Sequence, residues 1–332
     1  MKSDDMKYMQ ECLKLAIKGK GNVEPNPMVG CVIVKNGIIV GRGYHKRYGF
    51  NHAEVNAINN TLKKGNNIRN STLYVNLEPC SHFGKTPPCT DLIIKNKIKR
   101  VVIGMKDPNK KVNGKGINKL RNAGIEVRIG VLKEKCSHLN EKYIINVTEK
   151  RPYVTLKIAQ SIDGKIALNN FKSQWITEIY SRKLAHFIRS NYDCILIGKN
   201  SVIQDDPELT VRLFDSKKHP VRVIIDRDLK LSNKYKLLKN YSPLTIIYHS
   251  SNKKVLDLEY LKYIRLKSNG GQLKIDEILK SLYILGYNTL LVEGGANVYS
   301  QFAKNNLFDE IDLFIAPKII GQGISSFKDY QI

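Results

Sequence analysis

From residue 29 onward, short runs rich in β-branched and apolar residues alternate with stretches of helical apolar spacing, and the alternation occurs twice along the chain. This pattern constrains the fold more than any other feature. Strands joined through helices form a mostly parallel sheet with helices packed on its faces. In the first half, Met6, Met9, Leu13, Ala16 and Ile17 recur at helical spacing. Runs at 29–34 and 38–44 flank Asn36-Gly37, a strong hairpin signal. A helical pattern starts at His52, followed by strand 72–75, helix 91–96, strand 100–104, helix 116–122 and strand 125–129. In the second half, strands are expected at 153–159, 194–197, 221–225, 244–248, 289–292 and 310–316, with helices at 182–188, 275–285 and 297–302. Residues 133–152 are charged and polar, and Arg151-Pro152 opens a new strand register, so the boundary is expected there. Two domains follow, 1–147 and 151–332, each long enough to bury its own core.

Charge narrows the function class less than it first suggests. The chain carries 55 Lys+Arg against 30 Asp+Glu, a formal net charge of +25. Such an excess is the usual footprint of nucleic-acid binding. Here the basic residues are mostly lysines spread in twos and threes, with no arginine-rich tail and no long charge block. A solvated basic surface is therefore expected, with no dedicated nucleic-acid patch. The first residues mix charges of both signs, and no run approaches the ~18–20 apolar residues of a membrane helix. A cytoplasmic protein without disulfides is the expectation for six scattered cysteines.

The chemistry is concentrated in His52-Ala53-Glu54 and in the run EPCSHFGKTPPC from Glu78 to Cys89. A hydrolytic zinc site needs three protein ligands and one open position. His52, Cys80 and Cys89 supply that number. Positions two apart on a helix do not face the same way, so Glu54 is poorly placed to ligate beside His52. It could instead lean over a metal-bound water and shuttle its proton. Zinc lowers the pKa of such a water to about 7, and attack on a ring carbon bearing an exocyclic amine would release ammonia. The zinc-deaminase signature is His-x-Glu followed by Pro-Cys-x-x-Cys. Here eight residues, not two, separate the cysteines. Alone, His-x-Glu occurs often by chance, and two cysteines can be buried small hydrophobes; the joint string points to the metal. Cys12 and Cys31 lie in apolar patterns and read as core, while Cys136 and Cys194 have no partner motif.

The long insertion, with Asn26-Pro27 upstream and Asp107-Pro108-Asn109 downstream, resembles the deaminase domain of the bifunctional riboflavin-biosynthesis deaminase/reductase family, and the resemblance covers almost the whole chain. It implies a cytidine-deaminase-like three-layer α/β/α domain followed by a dihydrofolate-reductase-like α/β domain. It implies two reactions on a small phosphoribosyl pyrimidine. The first is hydrolytic deamination of 2,5-diamino-6-(5-phosphoribosylamino)pyrimidin-4-one to 5-amino-6-(5-phosphoribosylamino)uracil. The second is NADPH-dependent reduction of the ribosyl group to ribityl. By motif match, His52, Cys80 and Cys89 would hold Zn2+, Glu54 would carry the proton, and Asn26, His45, His82 and Lys85 would hold the substrate. Lys85 suits a phosphate as a point charge, although a solvated loop lysine has the same sequence appearance.

The reductase half carries Ser161-Ile162-Asp163-Gly164-Lys165, Ile197-Gly198-Lys199-Asn200-Ser201, Asp205-Asp206-Pro207 and Val292-Glu293-Gly294-Gly295-Ala296. The glycine pair between a strand and a helix lets backbone approach a pyrophosphate, and the helix start favours its charge. It is not Gly-x-Gly-x-x-Gly, so a Rossmann domain is not expected. The resemblance implies cofactor contacts from Ala159, Trp175, Ser201, Asp205, Gly294, Gly295, Ala296, Asn297 and Val298. It implies substrate contacts from Ser173, Arg189, Leu209, Arg212 and Glu293, with two arginine forks suited to phosphate. Lys157 is the candidate charged group beside the reacting sugar, and Trp175 could equally pack in the core. Arg227 stands where family members often have a smaller polar residue. The family's chains run some tens of residues past the Ala-Pro-Lys motif at 316–318, so a second domain that is only structural stays open, as does an RNA-binding base deaminase. A homo-oligomer is expected by the same analogy.

Overall fold

A computed structural model describes residues 3–83, 87–171, 178–216, 219–239 and 241–328. The chain divides into two compact units, residues 1–149 and 150–332.

The first unit runs α1 (Ser3–Ile17), β1 (Gly30–Lys35), β2 (Ile38–Tyr44), α2 (Ala53–Lys63), β3 (Thr72–Leu77), α3 (Cys89–Lys95), β4 (Arg100–Met105), α4 (Lys115–Asn122), β5 (Glu126–Ile129), α5 (Lys133–Leu139) and α6 (Glu141–Glu149). Asn36 and Gly37 take φ values of 51° and 75°, as the tight turn between β1 and β2 requires. The sheet order is β2-β1-β3-β4-β5. β1 is antiparallel to both neighbours, and only β3, β4 and β5 are mutually parallel. The sheet is therefore mixed and not mostly parallel. The reason is local: the hairpin reverses β1 against β2, and the crossover through α2 places β3 on the far side of β1. One apolar layer packs α2, α3 and α4 on one face through Ala57, Ile58, Ile93, Ile117 and Leu120. A second packs α1 and α5 on the other through Met9, Cys12 and Cys136. The polar stretch at 133–149 is thus helical, and its few buried residues (Cys136, Asn140, Asn146) seat it on the sheet.

The second unit runs β6 (Tyr153–Ser161), β7 (Lys165–Leu168), α7 (Ile179–Arg189), β8 (Cys194–Gly198), α8 (Lys199–Asp205), β9 (Val221–Ile225), α9 (Lys236–Lys239), β10 (Thr245–His249), β11 (Leu261–Arg265), β12 (Ser268–Asn269), β13 (Gln272–Leu273), α10 (Ile275–Ile284), β14 (Thr289–Val292), α11 (Ala296–Lys304), β15 (Glu310–Ala316) and β16 (Gly323–Ser325). Its main sheet has the order β11-β10-β9-β8-β14-β6-β15, with every pairing parallel. Two apolar layers, one around Leu156, Tyr248, Leu282 and Phe302 and the other around Ile195, Ile224 and Leu237, cover its faces. In a parallel sheet of this kind the ligand-binding edge lies beyond the strands' carboxyl ends. Glu293, Lys199 and Arg227 sit there, just after β14, β8 and β9.

Candidate active sites

In the first unit, three chain segments deliver three soft donors to one point. His52 caps α2 with extended backbone and its side chain makes no capping hydrogen bond, so its ring is available elsewhere. Cys80 follows β3 and Cys89 opens α3. The His52 Nδ1 lies 3.6 Å from Cys80 Sγ and 3.3 Å from Cys89 Sγ. The three ligand atoms all lie within 4.8 Å of one another. A tetrahedral zinc with ordinary Zn–S and Zn–N bonds requires ligand separations of roughly 3.6 Å, so the trio fits the ion. The Cys89 N–H donates to Cys80 Sγ at 3.4 Å. The Cys89 thiol, opposed by burial and aided by His52 and that backbone bond, holds the Cys80 thiol well below the ordinary range, while Cys80 and burial push Cys89 up. The nine-residue step between the cysteines replaces the short Cys-x-x-Cys spacing, and the second cysteine is the first residue of α3.

Glu54 is 4% exposed, one residue into α2, and burial pushes its carboxyl up to about 7. It lines a cavity of about 300 Å³ together with Asn26, His45, His82, Asp107 and Tyr143. The Asn26 amide donates to His45 Nε2 at 3.1 Å, and His45 Nδ1–H donates to the Asn51 carbonyl at 3.1 Å. Asn26 is itself placed by Met28, whose carbonyl accepts from Asn76 and Asn140 and whose N–H donates to Asn140. Lys85 lies outside the described residues. Asp107 and Tyr143, joined at 2.9 Å, are cavity residues that sequence reasoning did not single out. The Asp107-Pro108-Asn109 string contains the first of them, and Tyr143 lies in the polar stretch before the domain boundary with no motif around it.

In the second unit a cavity of about 610 Å³ is lined by Lys157, Ala159, Arg189, Ser201, Asp205, Arg212, Glu293 and residues 294–298. The structure thus brings together most of the residues expected there. Ser173 and Trp175 lie outside the described residues. Leu209 is the exception: it is buried beside Tyr192 and Ile195 in the core and does not line the cavity. Glu293 is held between two cations, with Arg189 donating to it at 2.6 and 2.9 Å and Lys157 at 3.4 Å. Burial alone would raise this carboxyl, but Arg189 and Lys157 hold it far below the usual range. Tyr299 donates to the Lys157 carbonyl at 2.7 Å, steadying that strand. His186, also not anticipated, lines the cavity and accepts the Arg212 N–H at 3.1 Å. Burial, Arg189 and Arg212 lower it to about 4, so it is neutral and fixes the Arg212 backbone.

A backbone cradle forms at the glycine pair between β14 and α11. A Cβ on Gly294 would meet Val298 at 2.6 Å, so position 294 takes only glycine, whereas a Cβ on Gly295 would meet Ser201 Oγ at an ordinary 3.5 Å. The cradle sits against the open start of α11, a fit for a dinucleotide pyrophosphate. Arg227 is 41% exposed in the side chain at the cavity rim, paired with Asp228 and donating to the Gly271 carbonyl. Among the described residues no helix is long and apolar enough to cross a membrane.

Comparison with known proteins assigns each unit to a family. Residues 2–105 match the cytidine and deoxycytidylate deaminase zinc-binding region, and residues 152–332 match the RibD C-terminal domain. The riboflavin biosynthesis protein RibD of Aquifex aeolicus is 48% identical over 322 residues, 97% of this chain and 89% of that protein. The Escherichia coli protein of the same name is 34% identical, over 96% of this chain and 89% of its own length. A crystal structure of a diaminohydroxyphosphoribosylaminopyrimidine deaminase/5-amino-6-(5-phosphoribosylamino)uracil reductase from Thermotoga maritima superposes with a TM-score of 0.85 at 42% identity, covering 99% of this chain and 91% of that one. The chain belongs to the RibD family of riboflavin biosynthesis, a zinc-binding-type deaminase domain followed by a reductase domain in one bifunctional enzyme.

Proposed function

We propose that the first unit deaminates the 2-amino group of 2,5-diamino-6-(5-phosphoribosylamino)pyrimidin-4-one and that the second reduces the ribosyl chain of the resulting aminouracil with NADPH. The observation that carries the first assignment is the His52/Cys80/Cys89 trio beside a buried carboxyl at a cavity of about 300 Å³. When bound there, zinc supplies the Lewis acidity that makes water nucleophilic at neutral pH. Glu54 would carry two protons in turn at a carboxylate oxygen: the first passes from the attacking water to the ring nitrogen, and the second from the resulting carbon-bound hydroxyl to the amine, which departs as ammonia as the carbonyl forms. Asn26, fixed by His45, orients the base edge, and His82 closes the cavity near the sugar.

In the second unit, residues 294–298 and the start of α11 receive the dinucleotide pyrophosphate, and Ser201, Asp205 and Ala159 line its path. NADPH supplies the hydride equivalent. Arg189 and Arg212 suit the substrate phosphate, and Lys157 polarises the sugar carbon's oxygen, its charge balanced by Glu293. The Gly294 cradle supports the dinucleotide reading, and the cation excess at the rim (Lys199, Arg227) favours the phosphorylated form. The same reading makes this a cytoplasmic enzyme of small phosphorylated metabolites.

The test follows ammonia release and NADPH absorbance separately on purified protein with zinc. Both signals are expected. Glu54→Gln should abolish ammonia release while the zinc content stays at that of the unsubstituted protein; loss of zinc from this variant would remove Glu54 from its assigned role.

A further inference from the structure

Two carboxylates lie buried on the wall of the first cavity, Glu54 and Glu78, and their hydrogen bonding divides their labour. Glu78 is 3% exposed. Its Oε2 accepts the backbone N–H groups of Asp107 at 3.2 Å and Gly114 at 2.9 Å. Its Oε1 accepts those of Gly116 at 3.0 Å and Ile117 at 3.2 Å. Four amides therefore occupy the carboxylate, and it is not available to exchange protons with a ligand. Three of them belong to the start of α4, whose own N-cap, Gly114, has no side chain to satisfy them. The approach is close: a Cβ on Gly116 would lie 2.1 Å from the Pro79 carbonyl oxygen.

Between those amides, residues 107–114 form one wall of the cavity through Asp107, Asn109 and Val112. Glu78 holds both ends of this wall at once. Asp107 in turn accepts the Asn109 N–H at 2.8 Å and the Tyr143 hydroxyl at 2.9 Å, so fixing the ends fixes the polar groups between them. The Glu78 backbone is anchored independently, its N–H donating to the Met105 carbonyl at 3.0 Å. Cys80 is thereby kept in place by the strand, whatever the Glu78 side chain does.

We propose that Glu78 is a positioning residue of the deaminase site, setting substrate affinity by clamping the 107–114 wall rather than taking part in the chemistry. The proposal rests on the deaminase reading above. A glutamine at this position keeps one accepting oxygen but turns its NH2 toward two amide donors, whereas aspartate keeps both oxygens on a shorter arm.

The test is deamination kinetics with zinc content on the zinc-loaded full-length protein. Glu78→Gln is expected to raise KM at least tenfold with kcat within threefold and zinc unchanged, and Glu78→Asp to recover part of the KM. An unchanged KM, or a fall in kcat together with zinc at constant KM, would overturn the proposal. Amide hydrogen exchange in the unsubstituted protein decides the matter even if the variants fail to fold. The amides of 107, 114, 116 and 117 should exchange at least tenfold more slowly than that of the exposed Lys110, and equal rates would sink the clamp. Absence of ammonia from the unsubstituted protein is a separate result that overturns the deaminase reading itself.

Discussion

At the scale of single residues, buried charge is used in three distinct ways. Glu54 is buried without a cationic clamp and is raised; Glu78 is saturated by amides; Glu293 is paired with two cations. Glu293→Gln removes the negative member of its cluster and leaves Lys157 and Arg189 buried together. Breaking such a cluster costs roughly 3–5 kcal/mol. This variant should lose NADPH oxidation and unfold at markedly lower urea, while ammonia release stays intact. Asp5 gives a pH prediction. It is 2% exposed and accepts from Arg100, Tyr74 and Arg128. The Arg100 hydrogen bonds, opposed by burial and aided by Tyr74, lower it from 3.8 to about 2. A depressed carboxyl stabilises the fold above its unfolded pKa and loses that contribution as pH falls through its folded value. About 2 kcal/mol should therefore disappear between pH ~4 and ~2. Urea melts of Asp5→Asn and the unsubstituted protein should differ at pH ~6 and converge toward pH ~2; a constant gap would contradict the assignment.

At the scale of elements, the first site depends on how loops are tied to the sheet. The segment before β1 reaches the end of β2 through the Val29 carbonyl, which accepts the His45 N–H, and two asparagines tie down Met28. Asn76 on β3 bonds the Met28 carbonyl and the Gly30 N–H, and Asn140 between α5 and α6 bonds both polar groups of Met28. Asn140→Ala leaves the half-buried Met28 N–H without its partner, a loss of about 1–3 kcal/mol, while the Met28 carbonyl keeps its bond from Asn76. The expected outcome is lower stability to urea and a raised KM for deamination, since Asn26 lies two residues away from Met28; an unchanged KM would detach Asn140 from the site. Neither asparagine was visible as a site residue in the sequence, because their partners lie 46 to 112 positions away. The same distance effect hid α5 and α6. Their sequence is polar because most of each helix faces water, and only a few contacts on the sheet, Cys136 and Asn140 among them, keep them folded. The short elements β7, β12, β13 and β16 carry no periodicity of their own and exist through pairing alone.

At the scale of the molecule, the two units have separate sheets and separate cavities. Removing zinc with a chelator should stop ammonia release and leave reduction of the aminouracil phosphate with NADPH unaffected; loss of both would show that the metal supports more than the first unit. The net charge of +25 is mostly outside both sites, which use few of the 55 basic residues. Affinity for RNA should accordingly be weak and sequence-independent, and nanomolar binding at physiological salt would overturn that view. The two-domain α/β plan was legible in the sequence, as were the grouping of His52, Cys80 and Cys89 near Glu54 and the glycine pair after β14. Each is written in local spacing or in a residue type that little else can replace. The mixed direction of the first sheet, the clamps by Glu78, Asn76 and Asn140, the neutral His186 and the displacement of Leu209 into the core were decided only by tertiary structure. Those features depend on which distant backbone groups arrive unpaired beside a side chain, and chain folding settles that where residue spacing does not.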